Sequence, residues 1–471
     1  MKPLGTVTPT PEQLTVIEDG SPGFWLVRGS AGSGKTTTAL LRLKFLVRLW
    51  RERARDLGLH EPVRVLVLTF NRTLRGYIEH LAAQQVALGA DVALEVDTFG
   101  FWAQHLVNEI VVDQDVKDDK IVELARQTDG LPSWEKRFLL GEIDYVLGRL
   151  LPDDLDRYAD PSRFERTGRG RTPNVTRAAR ERLLEGVIYP YRAWKAAEGV
   201  YDWNDLAVIL ATEQLGPDYN VVVVDESQDF SANQVRAIAN HLAGDHVTTF
   251  IRDTSQRIFA HSFTWSDVGI TIPPAQNKKL EINYRNTKEI AAFAKPLLNG
   301  VEPTEDSALP DFDGCVRTGL KPVVLRGLYN EQVDWVIEYL RSGQIGADET
   351  VAFLHPLGWF NYLTPRLNLE NLDWAKITAT REWPDGPEQL ALSTMASAKG
   401  LEFDHVVIIG YNGEVVRHGD EPDDALLDEA RRLLAMAIGR ARKSVVLGYK
   451  PADEPAPVGL LDSATYDAVD L

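Results

Sequence analysis

Short runs of aliphatic and β-branched residues recur along the chain and stop abruptly at polar positions. In the first half they occupy 24–28, 63–69 (Val-Arg-Val-Leu-Val-Leu-Thr), 221–224 and 247–251. In the second half they occupy 323–326, 350–354, 390–394 and 405–409. Runs this apolar predict strands covered on both sides, as in a parallel sheet flanked by helices. Between them, 37–50, 72–85 and 428–441 carry apolar residues at helical spacing. The stretch 101–200 breaks the alternation and is mostly helical in pattern, with Phe138, Ile143, Tyr145, Val146 and Leu150 close to a three-to-four spacing. An α/β chain with a helical insertion in its first half is the expectation. The final stretch, 451–471, is acidic and contains prolines, which predicts a loosely ordered tail.

Composition narrows the class. A length of 471 residues allows about two to four domains. No run approaches the roughly 20 apolar residues that span a bilayer. The opening Met1-Lys2-Pro3-Leu4-Gly5-Thr6 lacks the apolar region of a signal peptide. The lone Cys315 excludes an internal disulfide and a cysteine-ligated cluster. A cytoplasmic protein without a membrane partner is expected. The net charge of −18 argues against non-specific coating of nucleic acid, so such a partner would need a local basic track. Arg42, Lys44, Arg48, Arg51, Arg53 and Arg55 form one candidate. Arg163, Arg166, Arg169, Arg171, Arg177, Arg180 and Arg182 form another. Each is equally a solvated helix face.

Two stretches carry chemistry. Gly29-Ser30-Ala31-Gly32-Ser33-Gly34-Lys35-Thr36 closes a predicted strand and opens a predicted helix. In that setting the glycines let backbone N–H groups curl around phosphates, and the helix N-terminus adds positive dipole. Lys35 would neutralise phosphate oxygens and the Thr36 hydroxyl would ligate Mg²⁺. The run 221–224 delivers Asp225 and Glu226 at a strand's C-terminal end, where ligands sit in an open α/β sheet. Asp225 would hold Mg²⁺, and Glu226 would orient and deprotonate an attacking water. Together the two motifs predict hydrolysis of a nucleoside triphosphate.

Further motifs follow in order: Thr69-Phe70-Asn71, Asp97-Thr98-Phe99, Asp253-Thr254-Ser255-Gln256, Asn283-Tyr284-Arg285, Ser397-Ala398-Lys399-Gly400-Leu401-Glu402-Phe403 and Ala437-Ile438-Gly439-Arg440-Ala441-Arg442. In this order, over nearly the whole chain, they resemble the superfamily 1 helicases of the UvrD/Rep/PcrA type. The resemblance implies two RecA-like parallel-sheet motor domains. The first would comprise 1–100 and 201–275, interrupted by a helical accessory insertion at 101–200. The second would comprise 276–471, with a vestigial accessory insertion at 356–390. ATP and Mg²⁺ are the implied cofactors, and single-stranded DNA, in preference to RNA, is the implied substrate, translocated 3′ to 5′. Gln13 would read the adenine edge, Tyr284 would stack on the base and Glu402 would accept from the ribose. Gln256 would sense the γ-phosphate, while Arg285 and Arg440 would act as arginine fingers on the transferring group. Thr69, Arg72 and Thr98 are candidates for phosphate contact. Phe70, Phe99, Phe263 and Trp265 are candidates for base stacking, each equally a core residue.

The chain departs from that pattern in places. Arg252 stands where a glycine is usual, Ala396 where a histidine is usual, and Ala435 and Gly439 where a tyrosine and a threonine are usual. Thr37 replaces an arginine that would sandwich the base opposite Tyr284. The phosphate- and water-handling groups are intact, so the departures fall on base stacking and on coupling to nucleic acid. A compact translocase that depends on a partner, such as a nuclease or adaptor, is the leading expectation. The alternative is a nucleic-acid-stimulated ATPase switch within a defence or repair complex.

Overall fold

The computed structural model describes residues 9–29, 32–58, 60–69, 75–76, 79, 89–166, 174–253, 263–301, 312, 314–378, 384, 386–416 and 425–471, with main chain only at 253 and 425. Two sheets organise the fold, and every strand pair within them is parallel. The first runs β3-β2-β4-β5-β1-β6. Its strands are β1 (Gly23–Gly29), β2 (Val63–Thr69), β3 (Val92–Thr98), β4 (Tyr219–Val224), β5 (Leu242–Asp253) and β6 (Asn277–Leu280). A small pair follows, β7 (Asn283–Thr287) with β8 (Cys315–Arg317). The second sheet runs β11-β12-β10-β13-β14-β9-β15. Its strands are β9 (Val323–Arg326), β10 (Val351–His355), β11 (Trp374–Lys376), β12 (Leu390–Thr394), β13 (Phe403–Ile408), β14 (Ala441–Tyr449) and β15 (Asp467–Asp470). Two parallel sheets flanked by helices are the expected RecA-like α/β architecture. Among the described residues, no helix is long and apolar enough to cross a membrane.

The first sheet is apolar because both its faces are covered. Val221, Val222 and Val224 are fully buried, as are Val65 and Val67 on β2. Helix α2 (Lys35–Asp56) closes one face with Leu43 and Leu46, packed in one core with Trp25. On the opposite face Leu26, Val222, Val224 and Phe250 meet helices Trp203–Thr212 and Ala232–Asn240.

Arg42 does not join a surface track. It is fully buried in α2, with its guanidinium 4.1 Å from the Trp25 ring centroid. It donates to the carbonyls of Val16 and of Asp19, the latter at 2.6 Å, and to Thr249 Oγ1 at 3.1 Å. Arg42 thereby ties the end of helix α1 (Pro11–Ile17), which carries Gln13, to α2.

The insertion is helical, as expected. Helix Lys136–Arg149 turns Leu139, Ile143 and Val146 inward, toward Ile121, Val187 and Tyr191. Glu142 is buried on the same face and satisfied by Arg166, at 2.7 and 2.6 Å, and by the Tyr158 hydroxyl at 2.6 Å. Arg180 donates to the carbonyls of Tyr158 (3.2 Å) and Phe164 (2.8 Å). Arg166 and Arg180 therefore belong to the insertion's interior. They offset a buried carboxylate and loop carbonyls that would otherwise carry a desolvation cost. Arg177 pairs with Glu181 at the surface, and Arg169 and Arg171 lie outside the described residues.

One further expectation changes. The tail is not loose: 467–470 forms β15, parallel to β9 at the edge of the second sheet. Its alternation is too short to read as a strand, and the neighbouring edge supplies the missing hydrogen bonds. Within 356–390 lie a short helix (Leu363–Leu369) and β11, which pairs parallel with β12.

Candidate active site

The phosphate loop emerges from β1 and runs into α2, with Gly34 as the helix N-cap at φ 76°. A side chain at Gly32 (φ 86°) would collide with Asn283 Oδ1, and one at Gly34 with Gln13 Nε2. The glycines thus serve both a left-handed path and close approach. Ser30 and Ala31 lie outside the described residues. Ser33 is buried, and its Oγ has no hydrogen-bond partner. Lys35 Nζ rests on the Gly29 carbonyl at 2.9 Å. Gln13 closes the loop from below: its Nε2 donates to Ser33 O at 3.2 Å, and its Oε1 accepts from Thr10 N at 2.9 Å. One amide proton remains for an adenine edge. Thr37 is half-buried in the first turn of α2.

Thr36 Oγ1 donates to Asp225 Oδ2 at 3.0 Å, joining the loop to the end of β4. Asp225 is only 2% exposed. Burial, and then the charge of Glu226, push its carboxyl up to about 7. A hydroxyl and a carboxylate at this spacing are hard oxygen donors of the kind Mg²⁺ takes alongside phosphate. The unpartnered Ser33 hydroxyl and the glycine cradle suit the phosphates themselves. The residues present therefore fit a nucleotide and its metal ion.

Glu226 has a φ of 51°, in the left-handed region that non-glycine residues avoid. Such a conformation costs about 1–3 kcal/mol and is characteristic of functional sites. The turn lifts Glu226 away from the core, and the Gln228 amide donates to its Oε2. The Ser227 hydroxyl anchors the turn by donating to the Ile251 carbonyl at 2.8 Å.

Strand β7 reaches this loop directly. The Gly32 carbonyl accepts from the backbone N–H groups of Tyr284 (3.0 Å) and Arg285 (3.2 Å). The Arg285 guanidinium pairs with Glu402, and its Nε is buried without a partner. Burial works against the Glu402 charge, but Arg285, Arg442 and Arg440 outweigh it and hold the carboxyl below its usual range. Glu402, expected at the ribose, is thus engaged by Arg285. Arg440 projects from the turn between helix Ala425–Ile438 and β14. Asn286 Nδ2 donates to the carbonyls on either side of it, Gly439 at 3.2 Å and Ala441 at 2.8 Å.

The candidates for nucleic-acid contact divide. Phe99 lies in the core, 5% exposed, edge-to-face with Trp102 and Phe230, so its ring is committed to packing rather than to a base. Trp265 is half-buried against Phe250, and Phe263 meets it edge-on. Thr69 and Thr98 are buried register partners at the ends of β2 and β3, and Thr69 Oγ1 has no partner. Phe70, Arg72 and Gln256 lie outside the described residues.

The family model for the UvrD-like helicase C-terminal domain matches residues 369–451, from the end of helix Leu363–Leu369 past β14. Over that stretch the chain is similar to the UvrD-like helicase C-terminal domain. Lys399, Glu402 and Arg440 all fall within the matched residues. A solved structure, the C-terminal domain of a possible DNA helicase from Lactobacillus plantarum WCFS1, is similar over 39% of this chain and 98% of that one, at 23% identity and a TM-score of 0.30. No curated protein matches the chain.

Three side chains escape a reading of the sequence, two of them at the site. Asn286 is one, hidden because its partners lie some 150 residues on. The second is Lys399, whose Nζ reaches from beyond β12 to Asp229 at 3.2 Å. Burial disfavours the ammonium, but the carboxylates of Asp229 and Glu226 outweigh that and raise its pKa. A double-mutant cycle on Lys399→Ala and Asp229→Asn, read as the turnover barrier, is expected to give a coupling of about 1 kcal/mol. Additive effects would show the pair to be incidental. The third is Trp359, 55% exposed beyond the end of β10 and stacked on His355. Burial lowers the His355 imidazole to about 4, leaving Nδ1 as a neutral acceptor for the N–H groups of Leu357 (3.1 Å) and Trp359 (3.3 Å). Its signal was the turn chemistry of Pro356-Leu357-Gly358, closing an apolar run.

Proposed function

We propose that the chain is an ATP-dependent translocase on single-stranded DNA, moving 3′ to 5′ and hydrolysing ATP between its two lobes. The observation that carries this reading is the Gly32 carbonyl, shared by the N–H groups of Tyr284 and Arg285. A phosphate drawn onto the loop therefore acts at once on the strand that holds an arginine finger. Lys35 leaves the Gly29 carbonyl for phosphate oxygens, and Glu226 takes the proton of the attacking water. Thr36 and Asp225 would hold Mg²⁺, which would supply charge neutralisation to the phosphates. Arg285 and Arg440 bear on the charge that develops in transfer, and Gln256 reports its loss. Gln13, Tyr284 and Glu402 select the nucleoside, which favours ATP.

The test uses the full chain with Mg²⁺ and ATP. Turnover is expected to rise on adding single-stranded DNA, and streptavidin is expected to be displaced from the 5′ biotin end of an oligonucleotide but not from the 3′ end. Stimulated turnover without displacement from either end would replace the motor with a nucleic-acid-triggered switch. Turnover indifferent to the strand would remove both readings.

A further inference from the structure

Arg252 has no part in the proposed cycle, yet its neighbours are informative. The register of the first sheet sets Arg252 on β5 beside Arg28 on β1, and Arg28 beside Lys279 on β6. Register partners in a parallel sheet project from the same face. Alternation identifies that face. Two residues earlier, Leu26 and Phe250 belong to the core that includes helix Ala232–Asn240, whereas the intervening Ile251 belongs to the core of α2. Three cations thus share one row at the C-terminal edge of the sheet, on the face turned away from α2.

A row of like charges at strand spacing is unfavourable by itself. Arg28 makes no hydrogen bond or ion pair among the described residues, and its Nε is buried without a partner. Burial first, and the charge of Arg28 second, lower the Arg252 guanidinium to about 10. Lys279 pairs with Glu281 at 2.9 Å, but both are more than half exposed, so the pair yields readily to a competing anion. Trp265 packs on Phe250, one step down the same face from Arg252, at a ring distance of 4.7 Å. Cations beside half-buried aromatics are the makings of a single-strand groove.

We propose that Arg252, Arg28 and Lys279 form a phosphodiester-binding row that holds the backbone of a single strand on the first lobe. The proposal rests on the reading that a single strand is the substrate. It assigns the departure at Arg252 to strand grip, and separates the row from the nucleotide's phosphates, which belong to the α2 side.

The test measures the affinity of a labelled oligothymidylate across a salt series for the parent chain, Arg252→Gln, Arg28→Gln and the double variant. Removing one phosphate-binding cation should flatten the slope of log affinity against log salt by about 0.7, so the double variant should flatten it by about 1.4. Basal ATP turnover and the KM for ATP should stay at parent values. Arg252→Lys and Arg28→Lys keep the charge and should keep the slope, which separates removal of a cation from misfolding. An unchanged slope in the double variant overturns the proposal. So does a raised KM for ATP with an unchanged slope, which would assign the row to the nucleotide. A parent chain that binds no strand overturns the substrate reading itself, a failure visible before any variant is made.

Discussion

Glu226→Gln is expected to bind ATP as the parent does and to turn it over about 10²–10⁴-fold more slowly, the usual contribution of a positioned general base. Glutamine keeps the shape and the hydrogen-bonding reach but cannot accept the proton. The local fold should be little affected, because Ser227 anchors the left-handed turn and a glutamine carbonyl at 226 can still accept from the Gln228 amide. Single-turnover hydrolysis and binding of a fluorescent ATP analogue, measured side by side, check the separation. Parent-like turnover would show that another group activates the water. Loss of binding together with turnover would move Glu226 from the chemistry to the cradle.

Arg285→Lys should lower strand-stimulated kcat by roughly 10³-fold or more, the range associated with an arginine finger. A lysine retains charge but not the planar fork that spans two oxygens. The guanidinium already uses one end on Glu402, and its Nε is left over in a buried position, a donor with a role still to fill. The KM for ATP should change far less than kcat, since this interaction strengthens as charge spreads in transfer. A shift confined to KM would mean that Arg285 only helps to hold the nucleotide.

Much of the fold is legible in the residues alone, for a physical reason. Strands covered on both faces leave nearly continuous apolar runs, so β2, β4, β9, β10 and β12 announce themselves, and each delivers its polar residues at a strand end. β3 does not, because Glu95 and Asp97 break its apolar run. Arg42, Arg166 and Arg180 read as surface cations because spacing along a helix cannot show which carbonyl or carboxylate awaits on another element. Phe99 has the same ambiguity, resolved by Trp102 and Phe230. Lys399, Asn286 and the pairing of Arg285 with Glu402 depend on meetings between distant stretches, to which local pattern is blind. The row of Arg28, Arg252 and Lys279 is the clearest case. Three strands far apart in the chain have to be laid side by side before its charge is visible.

The bridge at Gly32 is made wholly of main-chain atoms, an oxygen on one side and two N–H groups on the other. Amino-acid replacement can weaken a salt link or trim a ring, but it leaves a peptide oxygen where it was. Drift at this junction is further curbed because any larger residue at 32 would strike Asn283. In the proposed cycle, coupling across this junction would run through the route of the polypeptide itself, and would survive divergence that erases a connection built from side chains.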